Sequence, residues 1–340
     1  MSLRIDIRVP VGLPLRETAA FIRDCEAVGF AGVGIHDHQH SGRDVYLALA
    51  VAAQETSRIR LYPATSNPVT RHPAVLASLA HSLEELAPGR MALMLAPGFL
   101  AVRNIGHRRA RVDELRAAIV VIKRLLAGEE VTLGGQETSL RAVSDPPTPV
   151  YLLAGGPRMV ELAGEVADGV FLMTGVHPNA IATARRHLRI GAERAGRSLD
   201  GFDVTHIITM AVGDDPLETR RWPQRWLAPG HPWLAYPSQS NLYWLREAGV
   251  DIPSGVPPEG ISDELAERIC DAFGLFGTAE ACAEQLRKAI RQSGIDHVFI
   301  FPAHDQAGGY EMPYREVEAF RDVIFPMLGS EPDPQHPSSP

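Results

Sequence analysis

Four short polar or glycine-rich stretches hold the residue types that do chemistry. The first, His36-Asp37-His38-Gln39-His40, alternates imidazoles with a carboxylate. Histidine titrates near neutrality and so suits general acid–base work. Two imidazoles two residues apart on a strand end also share one side, as a pair of metal ligands does. The second stretch is Thr65-Ser66-Asn67-Pro68-Val69-Thr70-Arg71-His72-Pro73, and the third is Ala96-Pro97-Gly98. The fourth, Ala154-Gly155-Gly156-Pro157-Arg158, places small residues where backbone N–H groups can approach a phosphate at a helix start. The same Gly-Gly-Pro also simply turns a strand into a helix, and both readings stand. The metal reading needs further ligands at later strand ends. Ala96, Ala154 and Met173 offer none there, which leaves His206 and His304, and a lone histidine is otherwise a hydrogen-bonded structural group.

The elements that must position these stretches follow from periodicity. Short β-branched or aliphatic runs alternate with longer segments of helical period, the pattern of a parallel sheet wound by crossover helices. Eight strands are predicted: 3–9, 31–36, 59–64, 91–95, 150–154, 170–173, 204–212 and 297–302. Eight is the number that closes an α/β barrel, and in such a barrel chemistry belongs at the C-terminal strand ends, where all four stretches fall. Val75, Leu79, Leu83 and Leu86 mark one helical stripe, and Val112, Leu115, Ile119, Ile122 and Leu126 another. Thr278 is the expected N-cap of a late helix with Glu280 in its first turn and Leu286 and Ile290 on its apolar face. Gly134-Gly135 between β-prone residues predicts a small hairpin over 131–140. A Trp-, Pro- and Gly-rich interruption at 214–261 holds Trp222, Trp226, Trp233 and Trp244; it reads as a substrate-side lid or as a helical excursion packed onto the barrel.

Composition narrows the function classes. The 340 residues are 45% hydrophobic and 22% charged, a globular balance, and one barrel domain over 1–328 with a flexible tail at 329–340 is expected. A net charge of -8 with scattered arginines gives no basic footprint for nucleic acid. Cys25, Cys270 and Cys282 are odd in number and lack a CxxC, so neither a disulfide framework nor a zinc cluster is expected and a cytoplasmic setting fits. No apolar run is long enough to span a bilayer, so no membrane role is expected.

Taken in order, Glu26–Phe30 leading to Asp37-His38, Thr56–Leu61, Asn67–Ala74, Leu83–Arg90, Gly156–Met159 and Glu161–Val170 resemble the luciferase-like monooxygenase superfamily, in particular its coenzyme F420-dependent branch typified by methylene-tetrahydromethanopterin reductase. The resemblance runs over roughly 3–328 and weakens across the Trp-rich segment. It implies a luciferase-like (β/α)8 TIM barrel with insertions. It also implies that Asp37 hydrogen-bonds a deazaflavin ring and that His38 is the catalytic acid or base. Ala64 and Thr65 would back the ring through a non-prolyl cis peptide, and Pro97 and Gly98 would run alongside it. Ala154, Gly155, Gly156, Pro157 and Arg158 would hold its phosphate, with Thr174 and Gly175 nearby. Gln39 departs from the aromatic residue usual after Asp-His, and Phe99 stands where the sugar-phosphate dehydrogenases of the group carry an acid, which argues against a sugar phosphate. No lysine stands near His177 in sequence for an acidic cofactor tail, so Arg158 or His177 would take that role, and FMN remains an alternative cofactor.

The expectation is therefore a hydride-transferring oxidoreductase acting on a small organic molecule with coenzyme F420, and a homodimer. The alternatives are an FMN-dependent monooxygenase, a metal-dependent barrel hydrolase and a non-catalytic flavin-binding protein.

Overall fold

Eight parallel strands form a barrel because each predicted run is apolar on the face that meets the helices. In the computed structural model, which describes residues 3–226, 239–252, 260–303 and 308–329, the strands are β1 (Arg4–Val9), β2 (Gly32–Ile35), β3 (Arg60–Pro63), β4 (Leu93–Leu95), β7 (Val150–Ala154), β8 (Gly169–Leu172), β9 (Asp203–Val212) and β11 (His297–Pro302). They pair in the order β3-β2-β1-β11-β9-β8-β7-β4. Parallel bridges Leu61–Met91 and Ser66–Leu95 bring β3 to β4 and bend the sheet round on itself. All eight predicted strands are present. The predicted hairpin is β5 (Val131–Leu133) with β6 (Gln136–Thr138), antiparallel. A short β10 (Gly274–Gly277) pairs with the outer half of β9 and was not anticipated; two of its four residues are glycine, which hides the strand pattern.

The period of two sorts the strand residues into two cores. On β1, Ile5, Ile7 and Val9 join the layer between barrel and helices. Arg4, Asp6 and Arg8 face inward. The barrel interior holds Tyr62, Met94, Tyr151, Phe171, Ile207 and Phe299. Below them lies an ionic cluster. His297 reaches Asp6 Oδ2 at 3.0 Å and Asp203 Oδ1 at 3.2 Å. Tyr62 donates to Asp6 at 2.7 Å, and Arg4, Arg60 and Tyr151 all donate to Asp203.

Thr278 caps its helix as expected, accepting from Ala281 N. The stripe on the helix Pro73–Leu86 needs correction: Val75 is 49% and Leu86 44% exposed, while Leu76, Ala77, Ala80 and Leu83 are buried. The true inward face includes alanines, which a search for large aliphatic residues passes over. In the Trp-rich segment, Trp222 and Trp244 are both buried, as a packed excursion requires; Trp233 and the side chain of Trp226 lie outside the described residues, as do His304 and 330–340. All three cysteines are free and buried; burial pushes the Cys270 and Cys282 thiols up to about 12, so neither is a nucleophile at neutral pH. Among the described residues no helix is long and apolar enough to cross a membrane.

Candidate active site at the barrel mouth

The C-terminal strand ends gather the sequence-predicted residues on one rim. Asp37 and His38 follow β2 directly, and their side chains take different surroundings. Asp37 is mostly buried and accepts from Ser66 Oγ at 2.6 Å and from Arg71 Nε and Nη2 at 3.2 Å each. Arg71 continues to Asp44 at 2.7 Å and lies over the Tyr46 ring, whose hydroxyl is 2.8 Å from Ser66 Oγ. The carboxylate is thus fixed in position by three donors, with one lone pair's worth of capacity left for a ligand donor.

His38 is held at both ring nitrogens. Nδ1 bonds the Tyr310 hydroxyl and Nε2 lies 3.0 Å from Asn104 Nδ2. Burial, aided by repulsion from His40 and opposed by Asp37, lowers its pKa below the ordinary histidine value. It is therefore neutral at pH 7, with a defined tautomer set by its two partners. Gln39 donates to the Ala101 carbonyl, which seats the short helix Leu100–Arg103 beside this corner.

Opposite the Asp-His corner, Ala154 ends β7 and Gly155-Gly156 lead into the helix Pro157–Val166. Gly156 is the N-cap, and no side chain caps the helix, so its first donors are available to an anion. A Cβ on Gly156 would stand 2.9 Å from Ser240 Oγ, so glycine leaves room there for a ligand oxygen beside a hydroxyl. Trp244 Nε1 donates to the Gly155 carbonyl at 2.7 Å. Both Ser240 and Trp244 come from the helix Gln239–Glu247 of the Trp-rich segment, which accordingly completes this loop. Arg158 is exposed at the same helix start. Thr174 and Gly175 are buried after β8, with Gly175 at φ 72° where a Cβ would overlap the Ala272 carbonyl. His177 caps the next helix by accepting from Asn179 N, and burial together with the charge of Lys288 lowers its pKa. A lysine does stand near His177, brought by the helix Ala279–Ser293 rather than by sequence.

The peptide Ala64–Thr65 is cis. Past it the chain rejoins β4, with Ser66 N donating to the Met94 carbonyl and Ala96 N to the Ser66 carbonyl. Gly98 adopts φ 86° against Asn67 and Val102, and Pro97 accepts from Ala110 N. These residues and Phe99, half exposed, complete the rim.

Sequence reasoning passed over Arg8, Ser66, Arg71, Asn104, Tyr310, Ser240 and Trp244 as site residues. Arg8, Ser66, Arg71 and Trp244 left a local signal, Ser66 in the polar stretch after β3 and Trp244 in the Trp-rich segment. Arg8 repeats the inward period Arg4, Asp6, Arg8 on a buried strand, and Arg71 sits within a quoted motif. Arg8 also bears on the metal reading of His36: its Nη2 lies 3.1 Å from His36 Nδ1, and a guanidinium there opposes a cation. Among the described residues no group of three His, Cys, Asp or Glu is arranged to hold a metal ion.

Residues 3–297 match the model of the luciferase-like monooxygenase family. A 5,10-methylenetetrahydromethanopterin reductase of Methanolobus tindarius is 30% identical over 291 residues, 82% of this chain and 87% of that protein. The coenzyme F420 dependent tetrahydromethanopterin reductase of Methanopyrus kandleri shares the fold with a TM-score of 0.74 at 22% identity, covering 96% of this chain and 99% of the other. The oxygenating constituent of 3,6-diketocamphane monooxygenase from Pseudomonas putida, in complex with FMN, shares it with a TM-score of 0.63 at 17% identity, covering 96% and 98%. The chain belongs to the luciferase-like monooxygenase family and is homologous to methylenetetrahydromethanopterin reductase-like proteins.

Proposed function

We propose that this chain is an F420-dependent oxidoreductase that moves a hydride between the deazaflavin and a small organic substrate. The observation that carries the proposal is the pairing of two features on one rim: the Asp37-His38 corner and the uncapped, glycine-lined helix start at Gly156. The residues present suit a ring cofactor with a phosphate. Gly155, Gly156 and Ser240 would take the phosphate, with Arg158, His177 and Lys288 toward an acidic tail. Pro97, Gly98, Ala64 and Thr65 would flank the ring, and Asp37 would accept a ring N–H. When bound, the cofactor supplies the hydride chemistry.

The chain's own residues bind, orient and handle the proton. Arg71 and Ser66 hold Asp37 in one position, so its accepting oxygen is preorganised. His38, neutral and oriented through Nδ1 by Tyr310, accepts at Nε2 the proton of an alcohol or amine that takes the place of the Asn104 amide, and in the opposite direction returns it. The apolar interior beneath, with Met94, Phe171 and Phe299 buried, excludes water from the floor.

The relative named for F420 favours the deazaflavin, and the fold shared with an FMN complex supports FMN as the second reading. The proposed homodimer draws on Leu47, Val75 and Leu86, which leave apolar surface exposed on the helices after β2 and β3. Titration of the purified chain with F420 and with FMN tests the cofactor. Tighter binding of F420 is expected, preference for FMN reverses the choice, and binding of neither removes the proposal. With the bound cofactor, His38→Ala is expected to slow single-turnover hydride transfer by about 10²–10⁴-fold; an unchanged rate removes His38 from catalysis.

A further inference from the structure

Three other arginines that enter the barrel or its rim have carboxylate partners. Arg4 and Arg60 bond Asp203, and Arg71 bonds Asp37 and Asp44. Arg8 differs. It is 6% exposed, yet its hydrogen-bond partners are the neutral Gly309 carbonyl at 2.8 Å and His36 Nδ1 at 3.1 Å, both through Nη2. Its guanidinium also lies 5.1 Å over the Phe301 ring. No described carboxylate pairs with it, and no described residue accepts from Nε or Nη1. Burial lowers its pKa to about 10, which still leaves it charged at neutral pH. A buried charge without a counter-ion is costly, and folds keep one where a ligand supplies the opposite charge.

Its position gives that charge a use. Arg8 is the outermost inward residue of β1, two residues beyond Asp6, and its neighbour on the next strand is Gly34, which adds no side chain. The His36 ring meets Tyr310 edge-on at 5.1 Å, and Tyr310 bonds His38. Contacts through His36 and Tyr310 therefore link an anion on Arg8 to the proposed proton-carrying histidine.

We infer that Arg8 is the substrate-recognition residue of the mouth and selects organic acids, its Nη1 donating to a carboxylate while Nη2 stays on Gly309 and His36. A carboxylate there gains a charge-assisted hydrogen bond and supplies the opposite charge, which a neutral amide or alcohol does not. This inference deepens the oxidoreductase reading and rests on it for the word substrate; the anion site itself does not.

The test uses the full chain and ¹⁹F NMR with trifluoroacetate as the anion and trifluoroacetamide as its neutral counterpart. The native chain should bind trifluoroacetate at least 10-fold more tightly than the amide. Arg8→Met should abolish that preference while binding F420 and FMN within about 2-fold of the native chain, and its urea midpoint should stay equal or rise. A residue that served structure alone would lower the midpoint. Arg8→Lys should retain the preference for the anion and keeps the test open if the methionine variant fails to fold. Equal binding of the two probes by the native chain, or undiminished preference in Arg8→Met, overturns the inference. Loss of cofactor binding in Arg8→Met also overturns it, by assigning Arg8 to the cofactor. Failure of the native chain to bind either cofactor, with the anion preference intact and Arg8-dependent, removes the redox reading and leaves the anion site standing.

Discussion

At the scale of single residues, the corner after β2 separates two jobs that the sequence places side by side. Asp37 is locked by Arg71 and Ser66, whereas His38 bonds the neutral Tyr310 and Asn104 side chains and has its pKa lowered by burial and by His40. The sign of that shift makes a prediction about direction. A histidine that titrates below its ordinary 6.5 is unprotonated through the neutral range, so it is ready to act as a base and must be charged before acting as an acid. Substrate oxidation should therefore show a plateau in kcat/KM above pH 6.5 and fall as pH drops through a value below it. Substrate reduction should fall as pH rises through that same value. His38→Gln should remove this limb in both directions, which pH–rate profiles will show. A limb above 6.5 in the native enzyme would mean that Asp37 outweighs burial and that the assignment of roles is reversed.

At the scale of elements, the frame was largely legible and the contacts between elements were not. Eight strands, one hairpin and the Thr278 cap follow from local period and capping chemistry, because those signals lie within a few residues of one another. The His38–Tyr310 bond spans 272 positions and the Gly155–Trp244 bond 89, and no local rule reports either. The helix Pro73–Leu86 failed for a different reason: its buried face is half alanine, and Val75 and Leu86 point outward. Glycine also hid a packing device. The helices Pro157–Val166 and Pro178–Arg194 cross with Gly164 against the Leu188 carbonyl and Gly191 against the Glu161 carbonyl, so close that a Cβ on either would overlap the backbone of its neighbour. The first of these helices begins at the proposed phosphate loop, so their spacing sets its position. Gly191→Ala should cost about 1–3 kcal/mol by overpacking, read from urea unfolding, and should weaken binding of the phosphate-bearing cofactor. A fully stable variant with normal cofactor affinity would show that the crossing yields without moving the loop.

At the scale of the whole molecule, the barrel stands on a charge cluster that joins four of its strands below the chemistry. Asp6 from β1, Arg60 and Tyr62 from β3, Asp203 from β9 and His297 from β11 meet in the interior, and Arg4 closes it from β1 at the lower edge. Burial works against the His297 imidazolium, but Asp6 and Asp203 outweigh it and raise its pKa above 6.5. Burial likewise opposes the Asp203 carboxylate, while His297, Arg4 and Arg60 outweigh it and hold its pKa far below 3.8. The two shifts bound a pH window. The His297 contribution is fully present below 6.5, its unfolded value, and is lost as pH rises through the higher folded value. The Asp203 contribution is present above 3.8 and is lost only as pH falls below it toward the depressed folded value. Stability from the cluster should thus be greatest between roughly pH 4 and neutrality and decline on the alkaline side. His297→Gln keeps a hydrogen-bonding side chain but removes the positive charge that faces two carboxylates. It should destabilise the protein by about 3–5 kcal/mol near pH 6, the usual cost of leaving a buried charge without its partner. The difference from the native protein should shrink as pH rises toward 9, because the native histidine then loses the same charge. Urea unfolding of both proteins at pH 6, 7.5 and 9 measures this. A difference that stays constant across the range would assign the role of His297 to shape and hydrogen bonding, and the barrel floor would then be held by the Asp203–Arg4–Arg60 pairs alone.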